Sequence, residues 1–378
     1  MTAAPIPRPA LRWGSVAQLL GIVFLATLPL LFIGGFAAAA LHHGSLAVDT
    51  AGNYLPAAHA LLHGGTPYRL GDIARGTVFA SPPFAALLFA PLLLLPAVAA
   101  DVVASFAMLA CVLGALRFLG VRDWRCYAIT CLWLPTLFEF QTANLSGLLV
   151  LLAAATWRYR DRWVVAALAA GLLVALKLYG WPVIVFLFVS RRLKAAAAAA
   201  AVAATAILVP WAALGFIGLR GYPHLLDVMA RIEQPEGFSI ATVLASFSTW
   251  SAARVAAYAV GAVILAASLF VRGDRRKFVV CLAATLVLTP ILWMHYLVVL
   301  GVFLALAYPR FSLPWLVPLL LWLVPRPPQV PHGSPQNVVP FSHGLLVAAV
   351  TAALVTVAYR PRVATSAPHQ PVPLTPAS

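Results

Sequence analysis

The acids of this chain are few, 10 Asp and Glu against 25 Lys and Arg. Most of them sit beside basic clusters, and Asp49 does not. It opens the polar segment Val48-Asp49-Thr50-Ala51-Gly52-Asn53-Tyr54, which runs on to Tyr68 and to Ser81-Pro82-Pro83. It follows the first long apolar run, so its carboxylate belongs at a membrane surface. A carboxylate placed there can accept a proton from an attacking hydroxyl. Its competing role is structural, as N-cap of a surface helix expected over 51–62. That helix stops at His63-Gly64-Gly65.

Other polar residues stand at the ends of apolar runs. Lys177 closes one, and a lysine there is costly unless it faces a polar cavity or a ligand, or snorkels to the interface. His295 offers a hydrogen bond to phosphate or sugar, or is a satisfied structural histidine. Gln141 and Asn144 carry amides suited to sugar hydroxyls, and cap the next helix equally well. Tyr54 and Tyr68 suit stacking on a sugar face or an interfacial aromatic belt. Arg220, His224 and Arg231 read first as solvated loop charges.

The elements that must position these residues are apolar helices. The chain of 378 residues is 63% hydrophobic and 9% charged, with a mean hydropathy of +0.95. Apolar runs of about 14–25 residues recur, the mark of an all-α polytopic membrane protein. Runs such as 195–209 have no period of two, which excludes a β-barrel. The net charge of +15 comes from short clusters between apolar runs, a positive-inside pattern, so nucleic acid is not an expected partner. The four cysteines show no zinc or disulfide spacing. His42-His43 lacks an accompanying carboxylate cluster, so no metal and no cofactor is expected.

Placing every basic cluster in the cytoplasm fixes a topology. Hairpins form between 125 and 158, between 162 and 191, and between 277 and 310. Their tips are Gln141–Asn144, Lys177–Pro182 and Thr289–Tyr296. The arms have about 13–17 residues, so the tips end inside a cavity rather than clearing the bilayer. The charge rule puts Asp49, Gln141, Asn144, Lys177 and His295 on the external face. The Pro-flanked piece over 84–95 reads as shallow or re-entrant, which gives about 12 spans with both termini inside, or about 13 if it crosses. The expected organisation is a cytoplasmic N-terminus over 1–15, a membrane domain over 16–360 and a Pro/Ser-rich, disordered cytoplasmic tail over 361–378. External loops are expected over 42–82, 215–240 and 326–341. The first apolar helix is read as an uncleaved anchor.

Taken in order, the polar features have a family look. They are Asp49-x₄-Tyr54, Leu61-Leu62-x-Gly64-Gly65-x-Pro67-Tyr68, Phe79-Ala80-Ser81-Pro82-Pro83, Gln141-x-x-Asn144, Lys177-x-Tyr179-x-x-Pro182 before Arg191-Arg192, and Pro290-x-x-Trp293-x-His295. Over about Val48 to Tyr308 this set resembles glycosyltransferase family 87. Ser81 stands where the family often has tyrosine, Leu178 where it often has proline or glutamine, and Tyr296 where it often has a second histidine. The resemblance implies the GT-C fold, an external active site in the plasma membrane and a polyprenyl-phosphate sugar donor, typically the mannose derivative. It also implies a lipid or cell-envelope glycan acceptor. Asp49 matches the family's catalytic acid, Lys177 and His295 are candidates for the donor phosphate, and Tyr54, Tyr68, Gln141 and Asn144 for sugar or acceptor. The rival reading is a transporter or lipid flippase. It calls for mid-span polar residues and repeated halves, and the sequence shows neither plainly.

Overall fold

A computed structural model describes residues 13–68, 79–324 and 339–360. The expected tail, most of the 326–341 loop and most of the N-terminal segment lie outside the described residues. Among the described residues the regular elements are all helical. They are α1 (Trp13–His42), α2 (Leu55–Leu62), α3 (Pro83–Leu87), α4 (Ala97–Phe118), α5 (Trp124–Cys131), α6 (Leu134–Thr142), α7 (Ser146–Arg158) and α8 (Trp163–Leu176). Next come α9 (Pro182–Val189), α10 (Leu193–Ala213), α11 (Tyr222–Glu233), α12 (Ile240–Ala245), α13 (Trp250–Ala267), α14 (Asp274–Leu288), α15 (Leu300–Ala307) and α16 (Phe341–Tyr359).

Apolar residues surround α1, α4 and α16 instead of forming one stripe. A helix of that kind is covered by protein or by lipid on every side. Large side chains such as Leu30, Leu31, Val263 and Phe270 stand exposed at the bundle surface, where only hydrocarbon makes their exposure favourable. Among the described residues five helices are long and apolar enough to cross a membrane, or up to six if the bent pair α6 and α7 is one span. The protein is therefore a membrane-embedded helical bundle. The expected count of about 12 crossings includes shorter apolar helices such as α8. Its 14 residues reach about 21 Å against about 30 Å of hydrocarbon.

The three expected hairpin tips are breaks in the helical path. Helices α6 and α7 meet at 115°, turning at Ala143, whose φ of +47° is left-handed. Helix α8 stops at Lys177, whose backbone is extended, and a 3₁₀ turn Leu178–Gly180 leads into α9 with Pro182 at its first turn. Helix α14 ends at Thr289 and resumes as a 3₁₀ turn, Met294–Val299, ahead of α15. The 83–95 region splits into α3 and a 3₁₀ turn Ala90–Leu94, about 18 Å of helix altogether.

Close packing holds these breaks together. Helices α8 and α10 approach so tightly that a Cβ on Gly171 would meet the Ala199 carbonyl oxygen and Val202 at 2.7 Å. On α7, a Cβ at Gly147 would lie 2.5 Å from the Met108 carbonyl oxygen of α4. Helix α6 lies against the Met294–Val299 turn, which brings the first and third tips into contact.

Candidate active site

Residues 50–54 form a π-helical turn, closed by the Leu55 amide on the Thr50 carbonyl. An α-helix would set residues five apart about 140° from each other. The i→i+5 bonding of a π turn stacks them instead. Asp49 and Tyr54 are five apart, and both reach Asn144. The Asn144 amide nitrogen donates to Asp49 Oδ2 at 2.6 Å. Its amide oxygen accepts from the Tyr54 hydroxyl at 3.3 Å and from the Leu145 backbone N–H at 2.7 Å. These two acceptor contacts fix which end of the amide faces the carboxylate. The Asn53 side chain donates to Asp49 Oδ1 at 3.5 Å, and the Thr50 hydroxyl donates to the Ala143 carbonyl at 2.8 Å. The first external segment is thus stitched to the α6–α7 bend.

The N-cap role fails on geometry. Asp49 has helical backbone angles and its side chain caps no amide of the helix. Its carboxylate is half-buried and is given over to Asn144 and Asn53. Tyr54 is 3% exposed, stacked on Phe89 at 4.5 Å and edge-on to Phe79 at 5.8 Å. Its hydroxyl is pushed up to about 12, mainly by burial, with Lys177 pulling it down and Asp49 pushing it up. Tyr54 therefore feels both charges and stays a phenol, the form that donates to Asn144.

Lys177 lies close enough to this group to act on the Tyr54 hydroxyl. Its amine donates to the Tyr296 hydroxyl at 3.2 Å and sits 5.5 Å from the centre of the Tyr296 ring. The amine thus turns to a side chain of the third tip. Tyr179 leans on the same ring at 5.4 Å, and His295, 6% exposed, meets it edge-on at 4.7 Å. Tyr296, one of the departures from the family pattern, is the partner of the lysine.

The remaining candidates divide. Gln141 is half-buried on α6, and among the described residues no hydrogen bond joins it to the Asp49 group. Tyr68 packs elsewhere, stacked on Trp211 at 4.6 Å with its hydroxyl donating to the Ser81 carbonyl at 2.9 Å. Tyr222 donates to the neighbouring Ala80 carbonyl at 2.7 Å. Together they clamp the 79–83 strap, whose Phe79 touches Tyr54. Arg231 stands on helix α11 instead of in the expected loop, exposed and paired with Asp227 at 2.9 Å.

Glu139 was not singled out from the sequence. It is 0% exposed on α6, and its Oε1 accepts the Gly147 N–H at 2.7 Å. It thereby caps the first turn of α7, which its own N-cap residue Leu145 leaves without a side-chain acceptor. The signal was a carboxylate inside the apolar run from Leu134 to Phe140, a marker of function or of a special structural role. Among the described residues no group of three His, Cys, Asp or Glu is placed to hold a metal ion.

Comparison with known proteins bears on the family. The model of glycosyltransferase family 87 matches residues 79–290, more than half of the 378-residue chain. The match includes Glu139, Gln141, Asn144 and Lys177, while Asp49, Tyr54, Tyr68 and His295 fall outside it. No curated protein and no solved structure matches the chain. A family model that covers more than half of the chain settles the assignment: the chain belongs to glycosyltransferase family 87 and is a glycosyltransferase.

Proposed function

We infer that this enzyme moves a hexose, specifically mannose, from a polyprenyl-phosphate donor to a lipid or cell-envelope glycan acceptor. The reaction takes place on the external face of the plasma membrane, within a GT-C arrangement. The observation that carries this reading is the Asp49–Asn144–Tyr54 network set beside the Lys177–Tyr296 pair. It combines an aligned carboxylate and a cation within one electrostatic neighbourhood, as displacement of a phosphate leaving group requires.

In the proposed step an acceptor hydroxyl oxygen attacks the anomeric carbon. Its proton passes to Asp49 as the new C–O bond forms. The bond from the anomeric carbon to the phosphate oxygen breaks, and the lipid phosphate leaves with that electron pair. Lys177 offsets the growing charge on phosphate, with His295 as a further donor. A phosphate leaving group needs no proton, so one carboxylate suffices, unlike the pair used in glycoside hydrolysis. Direct displacement inverts the anomeric centre. Asn144 holds the base, and Tyr54 and Gln141 line the same tip; Tyr54 acts through its hydroxyl, its ring being covered by Phe89. The donor's apolar chain enters laterally from the bilayer, which accounts for a site built from helix breaks within a membrane bundle.

The test is transfer by the purified full chain supplied with polyprenyl-phosphate mannose, polyprenyl-phosphate glucose or a nucleotide sugar, with a cell-envelope lipid extract as acceptor. The reading expects product from the mannosyl lipid, with the anomeric configuration opposite to that of the donor. Product from the nucleotide sugar alone, or a retained configuration, would overturn it.

A further inference from the structure

A second polar concavity lies at the other end of the same helices. Helix α7 starts beside Asn144, runs for 13 residues and ends at Arg158, about 20 Å away. There a cavity of about 390 Å³ is lined by Arg160, Asp161, Trp163, Arg191, Arg192 and Lys194, with Leu193 and Ala195 at its edge. We propose that this cavity binds the phosphate group of an anionic membrane lipid.

The charges argue for an anion. Arg192 pairs with Asp161 at 2.6 Å and with Asp274 at 2.7 Å, and Arg160 pairs with Asp274 at 3.3 Å. Arg160 also donates to the Trp157 carbonyl at 2.9 Å and lies over the Trp157 ring at 4.3 Å. Two arginines are thereby held in place by two acids. The lining carries four cations and one acid, Asp161, and Asp274 reaches it from outside through Arg160 and Arg192. Four positive charges less these two negative ones leave two, and among the described residues the cations without an acidic partner are Arg191 and Lys194. Pre-oriented guanidinium groups beside unspent positive charge suit a phosphate oxygen better than they suit a neutral group.

The backbone at Arg191 points the same way. Its φ is +63°, a left-handed position where α9 closes with the Arg191 and Arg192 amides on the Phe188 and Leu187 carbonyls at 2.9 Å each. Glycine takes this conformation without steric cost, and arginine does not. An arginine kept there places its charge at the mouth of the cavity.

The surroundings argue for a lipid. Trp163 and Leu193 begin the apolar helices α8 and α10 and are 55% and 53% exposed. An exposed tryptophan at the start of an apolar helix marks the headgroup level of a bilayer. The cavity therefore opens where lipid phosphates lie, with an apolar flank for the first acyl carbons. Basic pockets between membrane helices recognise headgroups by this combination.

The experiment follows the unfolding temperature of the detergent-purified full chain with added dioctanoyl phosphatidic acid, dioctanoyl phosphatidylcholine or inorganic phosphate. The variants are Arg191→Gly with Lys194→Gln, and Arg272→Gln as an exposed basic control outside the cavity. Phosphatidic acid is expected to raise the unfolding temperature of the parent and of Arg272→Gln, and phosphatidylcholine is not. The double variant should need about 25-fold more phosphatidic acid for the same shift, at about fivefold per charge. Without lipid it should be no less stable than the parent, since glycine suits the Arg191 backbone. An undiminished response in the double variant would overturn the proposal. So would an equal loss in Arg272→Gln, which would show a general charge effect. A matching shift from inorganic phosphate would assign the cavity to free phosphate and overturn the lipid assignment.

Discussion

Asn144 donates its side-chain amide to Asp49 across 2.6 Å, although 95 residues separate them in the chain. The contact joins the first external segment to the α6–α7 bend, and it orients the carboxylate without neutralising it. An amide donor orients the carboxylate by a hydrogen bond and adds no charge of its own.

Replacing Asn144 therefore tests orientation apart from charge. Asn144→Ala should lower kcat by about 100-fold, the cost of a slightly misplaced reacting group, with a smaller change in donor KM. Asn144→Asp should be worse near neutral pH. Two carboxylates at this spacing share a proton, which raises the pair's affinity for it. The variant's activity should therefore rise with pH over a range where the parent is flat. A flat profile in Asn144→Asp would argue against contact between residue 144 and the base.

Tyr54→Phe removes one hydroxyl and keeps the stack on Phe89. The loss of a single neutral hydrogen bond amounts to about 0.5–1.5 kcal/mol, so kcat/KM should fall about three- to tenfold. The unfolding temperature should barely move, because the buried ring is retained. A collapse of stability instead would make the Tyr54 hydroxyl a structural group that holds Asn144 in the fold.

Lys177→Met should raise donor KM and lower kcat together, since the cation acts on ground state and transition state. It should also abolish inhibition by free polyprenyl phosphate. Tyr296→Phe removes the hydroxyl that holds the amine at 3.2 Å, and its effect should be the smaller one. Full activity in Lys177→Met would remove the lysine from the phosphate site.

Glu139→Ala deletes the acceptor of the Gly147 amide in a fully buried position. An unsatisfied buried amide costs about 1–3 kcal/mol, so the unfolding temperature should fall by several degrees. Glu139→Gln keeps an oxygen for Gly147 and should restore most of that loss. If both variants were as stable as the parent, the capping role would be wrong.

Much of this was legible in the residues. Span-length apolar runs and their basic flanks gave a helical membrane protein, and the polar tips at Asn144, Lys177 and His295 fall at breaks between helices. The π turn was not legible, because no residue pattern distinguishes it from an ordinary first turn. It is the feature that turns Asp49 and Tyr54 to one amide. The role of Glu139 is not legible either, since its partner is a backbone N–H eight residues on, and such bonds leave no side-chain pattern. Tyr54 and Tyr68 suit sugar stacking or an interfacial belt from sequence, because aromatic type alone does not tell such a ring from one covered by Phe89 or Trp211.

The most direct test of Asp49 as the base is the transfer rate of an Asp49→Asn variant in the mannosyl-lipid assay, with unfolding temperature measured on the same preparations. Asparagine keeps the shape and an acceptor oxygen for Asn144 but takes no proton. The account predicts an unchanged unfolding temperature and a kcat reduced by about 10²–10⁴-fold, the usual contribution of general base catalysis. A folded Asp49→Asn variant that transfers sugar within a few-fold of the parent rate would contradict it.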